Sequence, residues 1–321
     1  LCPARSAGRP SNWSGNSREE DSSLSDRLSW RKRTGASERA QSFSLLYDTV
    51  RWEEKAIVGA AEKRGVRVNL VDSKDLSITL NSCELPLSDR VVLQRCVSYF
   101  RNVHSTAALE SVGHRVVNSF ACAWVCGNKL FGSLALVRNK IPTPKTVMAM
   151  AEDSALQSIE QMGYPVVVKP VVGSWGRLSA LLRDKDAAKA VIEDREHMFP
   201  LYQIYYLQEF VKRPPRDIRT FVIGDQTIAA IYRYSGTDWR TNTARGGKAE
   251  KCKITSELDD LSVRAAKAVG GEFVGVDLME GEDGLLVHEV NNTTEFKNTV
   301  PATGIDIPGM VIDYLISVQK R

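Results

Sequence analysis

Residues 166–177 read Val166-Val167-Val168-Lys169-Pro170-Val171-Val172-Gly173-Ser174-Trp175-Gly176-Arg177. The apolar run Pro165–Pro170 is short and closed by proline, the pattern of a buried strand. Lys169 stands at its end. An ammonium in such a run is costly to bury without an anion, and a strand-end lysine that reaches a phosphate removes that cost. The alternative is a lysine that reaches water. The glycines that follow permit two structures. Backbone N–H groups could cradle phosphate oxygens, with Ser174 and Arg177 as further donors. Or the segment is a tight hairpin with Trp175 packed beneath it. The spacing is neither a Walker loop nor a dinucleotide fingerprint.

On the N-terminal side, Phe43–Tyr47 is apolar, Asp48–Trp52 is a polar turn, and Glu53–Arg64 reads as a helix stopped by Gly65. Val66–Val71 alternates as a strand, Val91–Leu93 is apolar, and Ser98–Ser111 is helix-like. This βαβ alternation predicts a small doubly wound domain. Asn128–Arg138 reads as a helix, and Ile141–Pro144 as a connector. Ser154–Met162 is a helix closed by Gly163 and Pro165. Asp184–Arg195 is a further helix and Tyr202–Val211 a strand.

Beyond it, Arg219–Ile223 and Thr227–Tyr232 flank Gly224-Asp225, a hairpin signal. Ser256 with Asp259 is expected to cap a helix that ends at Gly270-Gly271. Phe273–Met279 and Leu285–Val290 form a second hairpin around Glu280–Gly284. The fold class is therefore α/β at the N-terminus and α+β, with antiparallel strands, beyond it.

In the second hairpin, Glu289 and Asn291 are two apart on one strand and face the same side. Asp277 lies on the partner strand. Two carboxylates and an amide converging on one sheet face are either a hard-cation site, of the kind that takes Mg²⁺ with nucleotide phosphates, or a solvated face. Lys129 alone is unremarkable on a helix. Arg216, Arg219, Arg233, Arg240 and Arg245 fall within thirty positions. They are either ordinary surface or a clamp for carboxylate and phosphate groups.

The 321 residues carry a net charge of +4, with 43% hydrophobic and 26% charged residues. That composition excludes disorder of the whole chain, and no apolar run is long enough for a membrane helix. Eight Lys/Arg against five Asp/Glu fall in residues 1–40, so the remainder is nearly neutral and lacks the basic stripe of a nucleic-acid binder. Six cysteines are too few for a disulfide scaffold. Cys122 and Cys126 read as small buried helix residues rather than zinc ligands, and a cytoplasmic location fits. Residues 1–41 are Ser- and Arg-rich without periodicity. They are expected to be a disordered or non-native extension, followed by domains at 42–125, 126–207 and 208–321.

Taken in order, Asn128-Lys129-Leu130, Pro142-Thr143-Pro144, Val166–Pro170, Gly173–Arg177, Gln208–Val211, Arg216–Arg219, Asn242–Gly247, Val274–Asp277 and His288–Asn298 resemble the ATP-grasp superfamily. The branch is that of the ribosomal-protein glutamate ligases and the LysX enzymes. Tyr47–Lys55 and Glu289–Asn298 look like the first strand and the C-terminal signature of the LysX group.

The resemblance implies an ATP-grasp fold behind an N-terminal pre-ATP-grasp domain. It implies an ATP-dependent ligase that joins α-aminoadipate to the C-terminal glutamate side chain of an acidic LysW-like carrier, in lysine biosynthesis. The alternatives are a glutamate–carrier ligase of arginine biosynthesis and a ribosomal-protein glutamate ligase. ATP is the implied cosubstrate and Mg²⁺ or Mn²⁺ the implied metal, held by Asp277, Glu289 and Asn291. Lys129, Lys169 and the loop Gly173, Ser174, Trp175, Gly176 and Arg177 would bind phosphates. Glu209, Phe210 and Val211 would hold adenine, with Glu209 or Asp217 near the ribose. Arg219 and Arg240 would be catalytic, with Arg240 at the γ-phosphate or the acyl phosphate. Arg233, Asn242 and Asn292, Thr293, Thr294, Glu295 and Phe296 would take the amino acid. A homo-oligomer, dimer or tetramer, is expected, without nucleic-acid or membrane partners.

Overall fold

The computed structural model describes residues 41–80, 85–234, 239 and 248–319. The expected extension lies outside the described residues but for Gln41, and so do Arg240, Asn242 and Arg245. Four parallel strands come first: β1 (Ser42–Tyr47), β2 (Arg67–Asp72), β3 (Val91–Gln94) and β4 (Arg115–Val117), in the order β2-β1-β3-β4. Helix α1 (Trp52–Lys63) connects β1 to β2, and α2 (Tyr99–Ser111) connects β3 to β4. Both faces of this sheet are buried. Phe43, Leu45, Val91, Leu93 and Val117 share a core with Ile57 and Ala61 of α1, while Leu46, Val92 and Val116 pack with Leu109 of α2. Near-continuous apolar strands are what a parallel sheet covered on two sides requires. Gly65, at φ +67°, takes the left-handed conformation that ends α1.

Two short helices, α3 (Phe120–Cys126) and α4 (Lys129–Arg138), follow. Asn128 caps α4, its Oδ1 accepting from the backbone N–H of Leu130 at 3.0 Å. Next come β5 (Thr146–Ala149), α5 (Glu152–Met162), β6 (Val166–Lys169), β7 (Ala180–Leu182), α6 (Lys185–Glu196), a 3₁₀ turn (Pro200–Gln203) and β8 (Tyr205–Glu209). Their strands form an antiparallel sheet in the order β5-β8-β6-β7. Val166, Val168 and Leu207 turn toward Ala155 and Ile159 of α5 and Ala188 and Ile192 of α6. Alternation then sends Val167 and Lys169 to the opposite face.

The third sheet is antiparallel, in the order β11-β10-β9-β12-β13. It contains β9 (Arg216–Ile223), β10 (Gln226–Tyr234), β11 (Lys248–Lys251), β12 (Phe273–Gly281) and β13 (Gly284–Asn291), with α7 (Ser256–Ala268) between β11 and β12. Ile218, Val222, Val274, Val276 and Leu278 bury one face against Leu258, Leu261 and Ala265 of α7. The expected cap of α7 is shifted by one residue. Thr255 is the cap, its Oγ1 accepting from Leu258 N at 3.1 Å, while Asp259 accepts from the backbone N–H of Thr227 instead. Two further helices, α8 (Thr299–Thr303) and α9 (Ile307–Gln319), close the chain. α9 packs on α1 and joins Ile312 and Leu315 to the core of the first sheet. Among the described residues no single helix is long and apolar enough to cross a membrane.

Candidate active site

A cavity of about 700 Å³ lies among the three sheets and collects side chains from each of them. Lys169 reaches it from β6. The lysine is only 7% exposed, and its Nζ donates to Gln208 Oε1 at 2.6 Å and to His288 Nε2 at 2.5 Å. Neither partner is an anion. Burial therefore pushes the ammonium down to about 7; Glu289 opposes that shift, and Lys129 and Arg213 reinforce it. The same burial, with Lys169 beside it, holds His288 well below the ordinary histidine range, so its ring is neutral and Nε2 accepts. Lys129 enters from the first turn of α4. Its Nζ donates to the carbonyl of Gly173 at 2.5 Å and stands 3.5 Å from Glu289 Oε1.

The loop after β6 bends through Gly173 at φ +145°, Trp175 at +57° and Gly176 at +63°. Gly173, Ser174, Trp175 and Gly176 line the cavity. Arg177 does not: it is exposed, with its guanidinium 4.8 Å from the centre of the Trp175 ring. Glu209, Phe210 and Val211 form another wall. The Glu209 carboxylate is tied to the chain beside it, accepting from Lys145 N at 2.7 Å.

A row of charges crosses the third sheet. In register, Asp217 of β9 faces Arg233 of β10, Arg219 of β9 faces Asp277 of β12, and Asp277 faces Glu289 of β13. Arg219 donates to both oxygens of Asp277 at 2.7 and 2.6 Å. Arg233 donates to both oxygens of Asp217 at 2.7 Å and stands 3.2 Å from Asp277. Burial alone would raise the Asp277 carboxyl, but the two guanidinium groups hold it well below the usual carboxylate range. The carboxylates in turn raise Arg233 against the effect of its burial. Asp217 lines the cavity and its carboxylate orients Arg233. Arg216 is no part of the cavity wall: it pairs with Glu280 at 2.7 Å and lies over the Tyr232 ring.

Asn291 Nδ2 is 3.3 Å from Asp277 Oδ2, so Asp277, Glu289 and Asn291 do converge on one face. Two anionic carboxylates and an amide oxygen suit a hard cation that completes its shell with phosphates and water. Among the described residues no group of three or more His, Cys, Asp and Glu could hold a metal by itself. The donor set fits a hard divalent cation that brings other ligands with it, not a soft metal held by thiolates and imidazoles.

The segment after β13 is held by the N-terminal domain. Glu53 Oε1 accepts from the backbone N–H groups of Phe296 and Lys297 at 3.0 and 2.9 Å. Arg95, fully buried, donates to the Thr294 carbonyl at 3.2 Å through both terminal nitrogens and to Glu54 Oε1 at 2.9 Å. Asn102 donates to Thr293 Oγ1 at 3.0 Å. Gly275 makes this approach possible, because a Cβ there would lie 2.3 Å from Thr294 Oγ1. Asn292, Thr293, Thr294 and Glu295 line the cavity, but Phe296 does not. Its ring is 0% exposed and packs edge-on to Trp52 at 5.9 Å and beside Phe273 at 6.1 Å, so it anchors the segment rather than touching a ligand.

Among the wall residues to which the sequence reading gave no role are Gln208, Arg213 and His288. The His288 case has a definite cause. A register shift pairs Asp277 with Glu289 and Leu278 with Val287, leaving His288 unopposed. The bulge lets neighbouring residues, His288 and Glu289, line one cavity, where simple alternation would send them to opposite faces.

Residues 126–315 match the RimK-like ATP-grasp domain, and residues 43–125 match the LysX pre-ATP-grasp domain. The chain is 40% identical over 273 residues to the alpha-aminoadipate–LysW ligase LysX of Saccharolobus solfataricus, covering 84% of this chain and 99% of that one. It is 34% identical over 275 residues to the glutamate–LysW ligase ArgX of Sulfolobus acidocaldarius, covering 85% and 97%. A crystal structure of a RimK-domain ATP-grasp protein from Sphaerobacter thermophilus superposes with a TM-score of 0.70 at 25% identity, covering 86% of this chain and 99% of that one.

Proposed function

Because this chain belongs to the RimK-like ATP-grasp family, with the pre-ATP-grasp domain of the LysX enzymes, we propose that it is an ATP-dependent ligase joining α-aminoadipate to a LysW-like carrier protein in lysine biosynthesis. The observation that carries this reading is one cavity that holds two phosphate-seeking lysines, a carboxylate–amide set and an arginine pair, with the Asn292–Glu295 segment at its wall.

In this reading a carrier glutamate carboxylate attacks the γ-phosphorus of ATP, and ADP leaves. The amine of α-aminoadipate then attacks the acyl phosphate carbonyl, phosphate leaves, and an isopeptide bond remains. No protein nucleophile is needed; positioning and charge neutralisation supply the catalysis. Lys129 and Lys169 receive phosphate oxygens, and Lys129 exchanges the Gly173 carbonyl for them. Residues 173–176 cover the phosphates, and residues 209–211 flank the adenine. Arg219 and Arg233, aimed by Asp277 and Asp217, face the acyl phosphate and the incoming amino acid. Asp277, Glu289 and Asn291 would hold Mg²⁺ or Mn²⁺, which when bound offsets charge on the phosphates. Arg240 and Asn242 share these roles in the sequence reading and lie outside the described residues. A cytoplasmic enzyme fits the four described cysteines, all free and buried. Assembly as a dimer or tetramer belongs to the same reading and is measured by light scattering.

Mass spectrometry of a LysW-like carrier, incubated with the protein, ATP and magnesium, tests the reading. One added aminoadipyl residue is expected with α-aminoadipate and none without ATP. Preferential addition of glutamate would move the assignment to the arginine-type ligase. An unmodified carrier alongside a modified ribosomal tail would overturn it.

A further inference from the structure

Gln208 lines the cavity, is buried, and holds both ends of its amide in hydrogen bonds of fixed direction. The chain of directions starts at a carbonyl. Thr146 donates its hydroxyl proton to the Pro144 carbonyl at 2.9 Å, and a carbonyl can only accept. The Thr146 oxygen, 3.1 Å from Gln208, is therefore an acceptor on that side, so the amide presents Nε2 to it. Nε2 gives its other proton to Tyr206 Oη at 3.0 Å, and the tyrosine hydroxyl gives its own to Ser133 Oγ at 2.7 Å. Oε1 is left to face Lys169 Nζ at 2.6 Å. Tyr206 and Ser133 are buried as well.

The placement has a backbone origin. Strand β8 sets Gln208 opposite Thr146 of β5 on one side and Tyr206 opposite Lys169 of β6 on the other. Tyr206 and Gln208 are two apart and share the face opposite Leu207, which turns to the core beneath α5 and α6. Helix α4 meets that face with Ser133, one turn on from Lys129. Turning the amide over would set Nε2 against the ammonium, two donors opposed in a buried site. Gln208 and His288 together accept two of the three ammonium protons, which leaves one for a phosphate oxygen. We propose that Gln208 is a positioning residue for the nucleotide: its amide, locked by Thr146 and Tyr206, aims the Lys169 ammonium at the phosphates and ties it to the helix that carries Lys129. The inference rests on the reading of Lys169 as a phosphate ligand.

Calorimetry with a non-hydrolysable ATP analogue and magnesium, at one fixed pH, tests this in the full-length protein. Gln208→Met removes the acceptor with a side chain of similar length, and Thr146→Val removes the lock at a residue outside the cavity wall. Gln208→Met is expected to weaken the analogue roughly tenfold, the effect of one charge-assisted hydrogen bond, and Thr146→Val about threefold. Each loss should shrink below about twofold when the same change is made in Lys169→Met, because both residues act through that lysine. A purely structural role gives the same loss in both backgrounds, and that result overturns the inference. Chemical denaturation establishes that each variant folds, and Thr146→Val carries the test if Gln208→Met does not. In carrier ligation Gln208→Met should raise KM for ATP and hold KM for the amino acid within about twofold. If Lys169→Met weakens the analogue and neither other variant does, the inference falls and the phosphate assignment of Lys169 stands. If Lys169→Met has no effect, both fall. If the coupling appears while no carrier is modified, the inference stands and the ligase reading falls.

Discussion

Raising the pH past neutrality should weaken nucleotide binding through Lys169 alone. The side chain is buried against two neutral groups, Gln208 and His288, and its ammonium titrates at about 7. A triphosphate beside it would pull that value back toward the 10.5 of an ordinary lysine, so binding above neutrality takes up a proton. At about pH 8 roughly one molecule in ten carries the charge before ATP arrives, which costs about 1.4 kcal/mol, or tenfold in affinity. Each further pH unit costs up to another factor of about ten.

The stability linkage has a definite sign. In the nucleotide-free protein the unfolded lysine holds its proton more tightly than the folded one. The burial penalty is therefore fully present below about pH 7, and stability rises as pH climbs from there toward 10.5. Calorimetric titration with a non-hydrolysable ATP analogue, in two buffers of different ionisation enthalpy, reads affinity and proton uptake together. The range from about pH 7.5 to 9 lies above the last ionisation of a phosphate group, near 6. The expected result is about one proton taken up per nucleotide and a tenfold fall per pH unit, with the slope abolished in Lys169→Met. Wild-type affinity that stays flat, with no proton uptake, would refute the assignment of Lys169 to the phosphates.

Glu289→Gln should raise the magnesium requirement of amide formation with little effect on melting. Asp277→Asn should do the same and also cost about 3–5 kcal/mol, because Arg219 and Arg233 lose a buried counter-charge; unchanged magnesium curves in both variants would remove the metal site. Phe296→Ala should cost about 3–5 kcal/mol in chemical denaturation, as for a buried ring in a packed core, whereas a ligand-facing phenylalanine would change amino-acid binding with little effect on stability. Amide exchange in residues 173–177 should slow when nucleotide is bound; equal exchange at saturation would leave the loop a structural turn only.

Periodicity and punctuation were enough for the framework. Helix α1, the strand ending at Lys169 and the hairpin holding Asp277 and Glu289 each follow from a local pattern of apolar spacing, glycine and proline. Those patterns are short-range, and the backbone obeys them wherever the chain goes. The same is true of the part of the cavity wall that β13 supplies, because strand alternation puts Glu289 and Asn291 on one face before any partner is known.

What the chain does with those side chains was settled across long sequence separations. Arg95 looks like any polar residue after a strand until Glu54 and the Thr294 carbonyl close around it. The partner of Asp217, Arg233, is set only by the register of β9 against β10. Phe296 sits in a motif that reads as ligand-binding, yet the N-terminal domain turns its ring into the core through Trp52 and Glu53. His288 joins Lys169 only because a single unopposed residue in β13 breaks the period of two. Local sequence determined which elements form and which side chains share a face. Only the tertiary structure decided which charges meet, because an ion pair or a buried ring depends on what the rest of the chain brings within a few ångströms, and no local pattern carries that information.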